Sequence, residues 1–392
     1  TRQKPVAHAR PKPPTHRPRA RLQEMKTLLT LFTLHLTLPL FAADEEAPLY
    51  FPPAKGQWEK IDPAKIGWNP AKLKELMDYA GKNKSSSVVI LYRGRILAEQ
   101  YWPLDPKEKT AAGKPNPYFH MRLGKNVKGR AIEDVASAQK SVTAMLVGIA
   151  QHKGLLKITD PVHKHLGKGW SKAPAEAEAK ITITHLITMS SGLNTRLQYE
   201  VPAGTKWFYN TTAYSRSLTC VSKAAKMDAN ILTKKWLTGP LGMKDSRWAK
   251  RPWSERGGIV ANQYGLATTA RDLARFGSLM LANGNWEKKN VIEDKAYLKA
   301  AISPSQKINP SYGYLWWLNG GPFVARGNGQ KRQGRLIPAA PKDMYAAQGK
   351  LGRRLYVLPS QQLIITRLGD QAPNNFNSEF FKRLRAASGK VK

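Results

Sequence analysis

The chain has 392 residues, 41% of them hydrophobic, enough to bury one large or two ordinary cores. Its 64 Lys and Arg outweigh 27 Asp and Glu, for a formal net charge of +37, a balance that attracts anionic polymers, acidic lipid head groups or the anionic parts of a cell envelope. With no zinc-finger spacing, RNP-like run or basic heptad helix, that charge does not by itself imply nucleic acid as a partner. The single cysteine, Cys220, excludes an intrachain disulfide, argues against a cysteine-based metal site, and reads as a small core residue on a helix.

Residues 1–24 are basic, carry five prolines, show no apolar period and do not begin with methionine, so they are not expected to fold. Met25 and Lys26 then lead into a leucine-dominated run over 28–40, followed by Ala42 and Ala43 and an acidic patch. A charged start, a short apolar run and a small-residue exit read as a secretory signal over 25–43, too short for a comfortable membrane span. This predicts that Met25 is the natural start, that cleavage falls near Ala42 or Ala43, and that the mature chain, 44–392, is secreted or periplasmic with no transmembrane domain. An uncleaved anchor is the alternative.

Further on, 70–82 reads as a helix, and 87–92 and 96–102 are β-rich runs parted by Arg93, Gly94 and Arg95, a hairpin signal. Residues 105–130, rich in Lys, Gly and Pro, read as a long loop. Over 134–154 apolar residues recur at Val135, Ala138, Val142, Met145, Leu146 and Ile149, the period of a helix with one buried face, with Asp134 able to cap its start and Gly154 to end it. Turns and short helices follow, and the segment to about 258 looks mainly helical. The run 262–283 holds an amphipathic helix whose apolar side includes Leu273, Phe276, Leu279 and Met280. Strand character returns at 312–318, 344–347, 355–358 and 363–367, closed by a helix at 374–386. Strands at both ends with helices between them predict an α+β fold: one sheet built from both termini, with a helical region inserted at roughly 118–260. No internal repeat of fixed period is present.

Within the helix at 134–154, Ser137 and Lys140 stand three residues apart and so share a face. Ser137 falls in the first turn, where free N–H groups and the helix dipole favour developing negative charge. A serine hydroxyl needs a nearby base to become a nucleophile, and lysine can be that base when burial or neighbouring cations leave it neutral. The spacing alone is a weak signal that equally fits a helix start with a surface lysine, although no other serine in the chain has lysine at the third following position. Tyr209, beside Trp207 and Phe208, reads on composition alone as an aromatic core residue. His163 and His165 lack a third ligand at a useful spacing, so no metal site and no cofactor is expected. The glycines at 320, 321, 327 and 329 do not open a helix and do not suggest phosphate binding.

Taken together, VASAQKSVTAMLVGIAQHKGLLKITDPV, ITITHLITMSSGL, AGTKWFYNTTAY, YGLATTARDLARFGSLML and YGYLWWL, in that order, resemble the serine β-lactamase and penicillin-binding family, particularly its class C and esterase-like members. The resemblance covers nearly all of 44–392 and implies a β-lactamase/transpeptidase-like fold, an antiparallel sheet flanked by helices with an α-helical inserted subdomain. It implies that Ser137 is an acyl-enzyme nucleophile with Lys140 as its adjacent base. The family's Tyr-x-Asn or Tyr-x-Ser motif maps onto Tyr209, Asn210 and Thr211, giving Tyr209 a proton-relay role and leaving Thr211 a hydroxyl in the third, substrate-facing position. His185 falls in a matching helix start and reads as structural.

The third motif, Lys-Thr-Gly or His-x-Gly, finds its best match at Ala347, Gln348 and Gly349, without the cation that would hold a substrate carboxylate; Arg353 or Arg354 could replace it. Gln348 and Gly349 are the expected substrate-binding residues, and a backbone N–H near Gly349, with that of Ser137, could form an oxyanion hole. The missing cation favours an esterase or an amidase related to 6-aminohexanoate-dimer hydrolases. The alternatives are a β-lactamase or D-alanyl-D-alanine carboxypeptidase, and a non-catalytic envelope-binding protein of the same fold. The expected partners are a small ester, amide or peptide substrate and an anionic envelope polymer.

Overall fold

In the computed structural model the first helix, α1 (Pro70–Lys82), starts at an Asn-Pro pair: Asn69 accepts from the Lys72 amide at 3.1 Å and Pro70 occupies the first turn. Leu73, Leu76, Met77 and Ala80 make its buried face. The hairpin β1 (Ser85–Tyr92) and β2 (Arg95–Tyr101) follows, turned by Arg93 and Gly94, both at positive φ. A side chain at Gly94 would collide with the carbonyl of Tyr50, so only glycine fits there.

The description covers residue 1 and residues 48–104, 121–251, 255–256, 259–260, 262–325 and 330–389, without the side chains of 255–260. The expectations for 2–24, for the signal at 25–43 and for the first part of the loop at 105–130 lie outside these residues. A short strand, β3 (Arg122–Lys125), stands within the rest of that loop, and its partner β4 (Ala131–Asp134) follows directly after it. A single 3₁₀ turn, Ala136–Ala138, then feeds α2 (Gln139–His152). After three short helices at 163–166, 175–179 and 183–187 come α3 (Thr211–Ala225), β5 (Arg247–Lys250) and β6 (Tyr264–Thr268). Next are α4 (Ala270–Leu281), β7 (Trp317–Leu318), β8 (Tyr345–Gln348), β9 (Arg354–Leu358), β10 (Leu363–Gly369) and α5 (Phe376–Ser388).

The main sheet is antiparallel with strand order β7-β8-β9-β10-β1-β2, so the strands nearest the two ends of the chain pair with one another, Val89 against Thr366 and Leu91 against Ile364. Alternation along the strands sends side chains to two cores. Val88, Ile90, Tyr356 and Ile365 pack with Leu76 and Phe380 under α1 and α5. Val89, Leu91, Leu355 and Ile364 pack with α2 and α4 on the other face. All described residues from 48 on belong to one compact unit, Ala47–Lys392, and no helix among the described residues is long and apolar enough to cross a membrane.

The fold is therefore the expected α+β arrangement, with three differences of detail. The inserted region is not purely helical: β3, β4, β6 and β5 form a second antiparallel sheet. The run 262–283 divides into strand β6 and helix α4, because Thr269 caps the helix and Tyr264–Thr268 finds two strand partners. Of 312–318 only Trp317–Leu318 is strand; Leu315, at positive φ, breaks the extended run before it. Cys220 is buried on α3 as expected.

Candidate active site

Strand β4 aims the chain at the site, and a tight turn then presents the serine. Asp134 Oδ1 accepts from the Ala136 amide at 2.8 Å, and Ala136 takes positive φ, an uncommon conformation for a residue with a Cβ. Asp134 thus holds the turn ahead of α2 rather than the helix start itself. Ser137 is left half-exposed between buried neighbours. One turn on, Lys140 is 1% exposed, with its Nζ 2.9 Å from Ser137 Oγ and 3.4 Å from Thr211 Oγ1. The ammonium position lies 4.9 Å from the ring centre of Tyr209 and 4.2 Å from that of Tyr214. Among the described residues no carboxylate pairs with Lys140. Burial, reinforced by the charge of Arg251, holds its pKa well below the ordinary lysine value.

The second expected cluster arrives at the same place. Asn210 caps α3, accepting from the Ala213 amide at 3.0 Å, while its Nδ2 donates to the carbonyls of Leu193 and Asn194. That cap fixes Tyr209 and Thr211 on either side of it, so a local helix start orients both side chains toward Lys140. Burial pushes the Tyr209 phenol up to about 12, against the opposing effects of the neighbouring Ser137 hydroxyl and of the Arg354 charge. Its ring stacks on Trp317 at 5.9 Å and 24°, and Trp207 and Tyr312 complete an aromatic wall. The sequence reading did not assign Trp317 to the site; its signal was the YGYLWWL match, which fixed family but not position.

The end of β8 closes the third side. A Cβ on Gly349 would sit 2.1 Å from the Val135 carbonyl oxygen and 3.2 Å from the Ala138 nitrogen, so the strand end touches the backbone of the serine turn. Gly349→Ala is accordingly expected to force the strand away, costing about 1–3 kcal/mol, to be read as a lower midpoint in urea unfolding. Gln348 is half-buried at the last position of β8, opposite Arg354. The Gly349 N–H is already donated to the Arg353 carbonyl at 2.8 Å, which removes it as an oxyanion donor. The next amide, that of Lys350, opens a short 3₁₀ turn.

Of the two arginines that could replace the missing third-motif cation, Arg353 is fully buried and ion-paired to Glu133 at 3.1 Å, out of reach of a substrate. Arg354 is half-buried and donates to the carbonyls of Gly349 and Arg353. His165 bonds Asp160 at 3.0 Å, and His185 accepts from the Thr182 amide at 3.1 Å in a capping arrangement, consistent with its structural reading.

A sheet pressed against a serine turn, with lysine and tyrosine beside the hydroxyl, stands in the β-lactamase/transpeptidase-like fold. The Beta-lactamase family model matches residues 71–388, and the chain belongs to that family. An uncharacterized protein of Alkalihalophilus pseudofirmus is 25% identical over 333 residues, 79% of this chain and 90% of that one. Two solved structures share the fold. One, from Bacteroides dorei and assigned as a β-lactamase, has a TM-score of 0.60 at 15% identity, covering 82% of this chain and 100% of its own. The other, from Bacillus anthracis and assigned as a 6-aminohexanoate-dimer hydrolase, has a TM-score of 0.57 at 16% identity, covering 86% of each.

Proposed function

We propose that the protein is an exported serine hydrolase that cleaves a neutral ester or linear amide through an acyl-enzyme on Ser137. The observation that carries this reading is the 2.9 Å contact between Ser137 Oγ and a buried Lys140 with no carboxylate partner among the described residues. Burial lowers the pKa of a lysine so placed, which lets it accept the serine proton as Oγ attacks the carbonyl carbon. Tyr209, beside both Ser137 and Lys140, gives its phenolic proton to the leaving alcohol or amine and takes in exchange the one held by Lys140. The amides of Ser137 and Lys350 face the developing oxyanion, and water then attacks the acyl carbon to free Ser137. Export rests on the signal-like sequence at 25–43.

Substrate choice follows from the third side of the site. The motif positions Ala347, Gln348 and Gly349 carry no charge, and Arg353 is committed to Glu133. A carboxylate beside the scissile bond would be desolvated without a motif cation, Arg354 being engaged by the Gly349 and Arg353 carbonyls, at a cost of about 2 kcal/mol or more, roughly thirtyfold in specificity. A short-chain p-nitrophenyl ester is therefore expected to show kcat/KM at least about thirtyfold above nitrocefin or benzylpenicillin, with Gln348→Lys narrowing the gap. Steady-state kinetics on the mature chain checks this. A preference of wild type for the β-lactam would assign the charge to Arg354 and the activity to a β-lactamase or penicillin-binding enzyme. Absence of both hydrolysis and fluorophosphonate labelling would leave a binding protein of the same fold.

A further inference from the structure

A cavity of about 300 Å³ opens where three separate stretches meet, 53–58 ahead of α1, the β3–β4 turn at 126–130, and 242–245 ahead of β5, with the first turns of α4 as its fourth wall. That volume, at the lower end of the range for ligand pockets, suits a small molecule or one unit of a polymer. Six Lys or Arg line the cavity against two Asp, and none of Ser137, Lys140 and Tyr209 lines it.

The cations fall into two groups. Arg271 and Arg275 are fixed in place: Arg271 Nε and Nη2 donate to Glu99 at 2.6 and 2.5 Å, and Arg275 donates to the carbonyls of Pro52, Leu241 and Pro53. Both guanidinium groups lie over the buried Trp58 ring, 4.7 and 4.8 Å from its centre, and make a rigid cationic floor. Lys55, Lys128 and Lys244 differ. Each comes from one of the three stretches, each is exposed, and none has an ion pair or a side-chain hydrogen bond among the described residues. Asn126 sets the turn that carries Lys128, its Oδ1 accepting from the amides of Lys128 and Arg130, both at 3.0 Å.

Nearby carboxylates do not answer these three charges. Glu99 is held by Arg271, with Arg130 at 3.7 Å. Asp245 accepts from Asn126 Nδ2 at 2.7 Å, and Asp272 accepts from the Asp245 amide at 2.8 Å and the Ser246 hydroxyl at 2.9 Å. Elsewhere lysines such as Lys164 and Lys206 do find acidic partners, Asp160 and Glu200. Three ammonium groups gathered around one cavity repel one another, and an anion placed among them turns that repulsion into attraction. The donors also select the anion. A carboxylate is matched best by the parallel N–H pair of an arginine, and the forks of Arg271 and Arg275 already face Glu99 and backbone carbonyls. Lysine acts as a point charge without that geometry, which suits a tetrahedral, multiply charged phosphate group.

We propose that this cavity is a phosphate-binding site, in which Lys55, Lys128 and Lys244 hold the anion over the floor made by Trp58, Arg271 and Arg275. It gives part of the basic surface a defined ligand chemistry, and it stands whether or not the acyl-enzyme reading does.

Isothermal titration calorimetry on the full chain tests it in about 0.15 M salt, where loose attraction to the overall charge is screened. The probes are glycerol 1-phosphate, inorganic phosphate, and vesicles of phosphatidylglycerol in phosphatidylcholine. At least one is expected to bind saturably, and the one that does names the source as a free ester, the phosphate ion or a lipid headgroup. Changing Lys55, Lys128 and Lys244 together to Gln should weaken that binding by about tenfold or more, the scale of one lost charged hydrogen bond. The same change at Lys72, Lys168 and Lys180, exposed lysines outside the cavity, should leave it within about twofold. Absence of saturable binding by all three probes, or equal losses in the two triple variants, overturns the proposal. Thermal melting reports folding. Should the cavity triple variant not fold, Lys128→Glu on its exposed turn decides alone: a loss of about tenfold or more supports the site and unchanged binding overturns it.

Discussion

Ser137→Ala is expected to lose all covalent labelling and to lower hydrolysis by about 10⁴-fold or more, while its melting curve stays within about 0.5 kcal/mol of wild type. The activity loss follows from the absence of any second hydroxyl in the right place. Thr211 Oγ1 is 3.4 Å from the lysine, but Ser137 alone combines the 2.9 Å contact with half-exposure at the mouth of the turn. The stability should hold because the change removes one oxygen from a side chain that solvent already reaches, leaving the Asp134 bond to Ala136 and the positive φ there untouched. Lys140→Ala should slow labelling by about 10²–10⁴-fold, the range for a lost general base. Mass spectrometry of the labelled protein and a thermal melt on the same samples check both; equal labelling of wild type and Ser137→Ala would sink the assignment.

Glu133→Ala is expected to be the most damaging single change for stability, by about 3–5 kcal/mol. Glu133 and Arg353 are both 0% exposed and face each other at 3.1 Å. Glu133 also accepts from Ser86 Oγ and from the Gly369 amide, the latter at 3.2 Å, so one carboxylate joins β4 of the small sheet to β1 and β10 of the main one. Truncating it takes the paired carboxylate from a guanidinium that cannot reach water, and the cost is the desolvation of that charge rather than the modest net worth of the pair. The double variant Glu133→Met with Arg353→Met should recover most of the loss, since two apolar side chains of similar length fill the space without a charge to satisfy. Urea unfolding of the single and double variants reads the difference; a double variant no more stable than Glu133→Ala would show that shape, not charge, governs the site.

Much of the site was legible in the chain because its determinants are local. Ser137 and Lys140 meet through helical spacing, and Tyr209 and Thr211 are aimed by the Asn210 cap, a short-range device. The helix α1, the hairpin turned at Arg93 and Gly94, and the closing helix likewise follow from capping, turn residues and apolar period within a dozen positions. The ordered motif matches then supplied the family. Tertiary structure decided what depends on residues far apart. Strands as short as Ala131–Asp134 and Tyr264–Thr268 exist only because they pair with each other across more than a hundred positions, which no local propensity records. The same holds for charge: Arg353 looked available for a substrate until Glu133, 220 positions earlier in the chain, was found to claim it. Arg251 had no sequence signal at all, since its ion pair with Asp134 joins residues 117 positions apart.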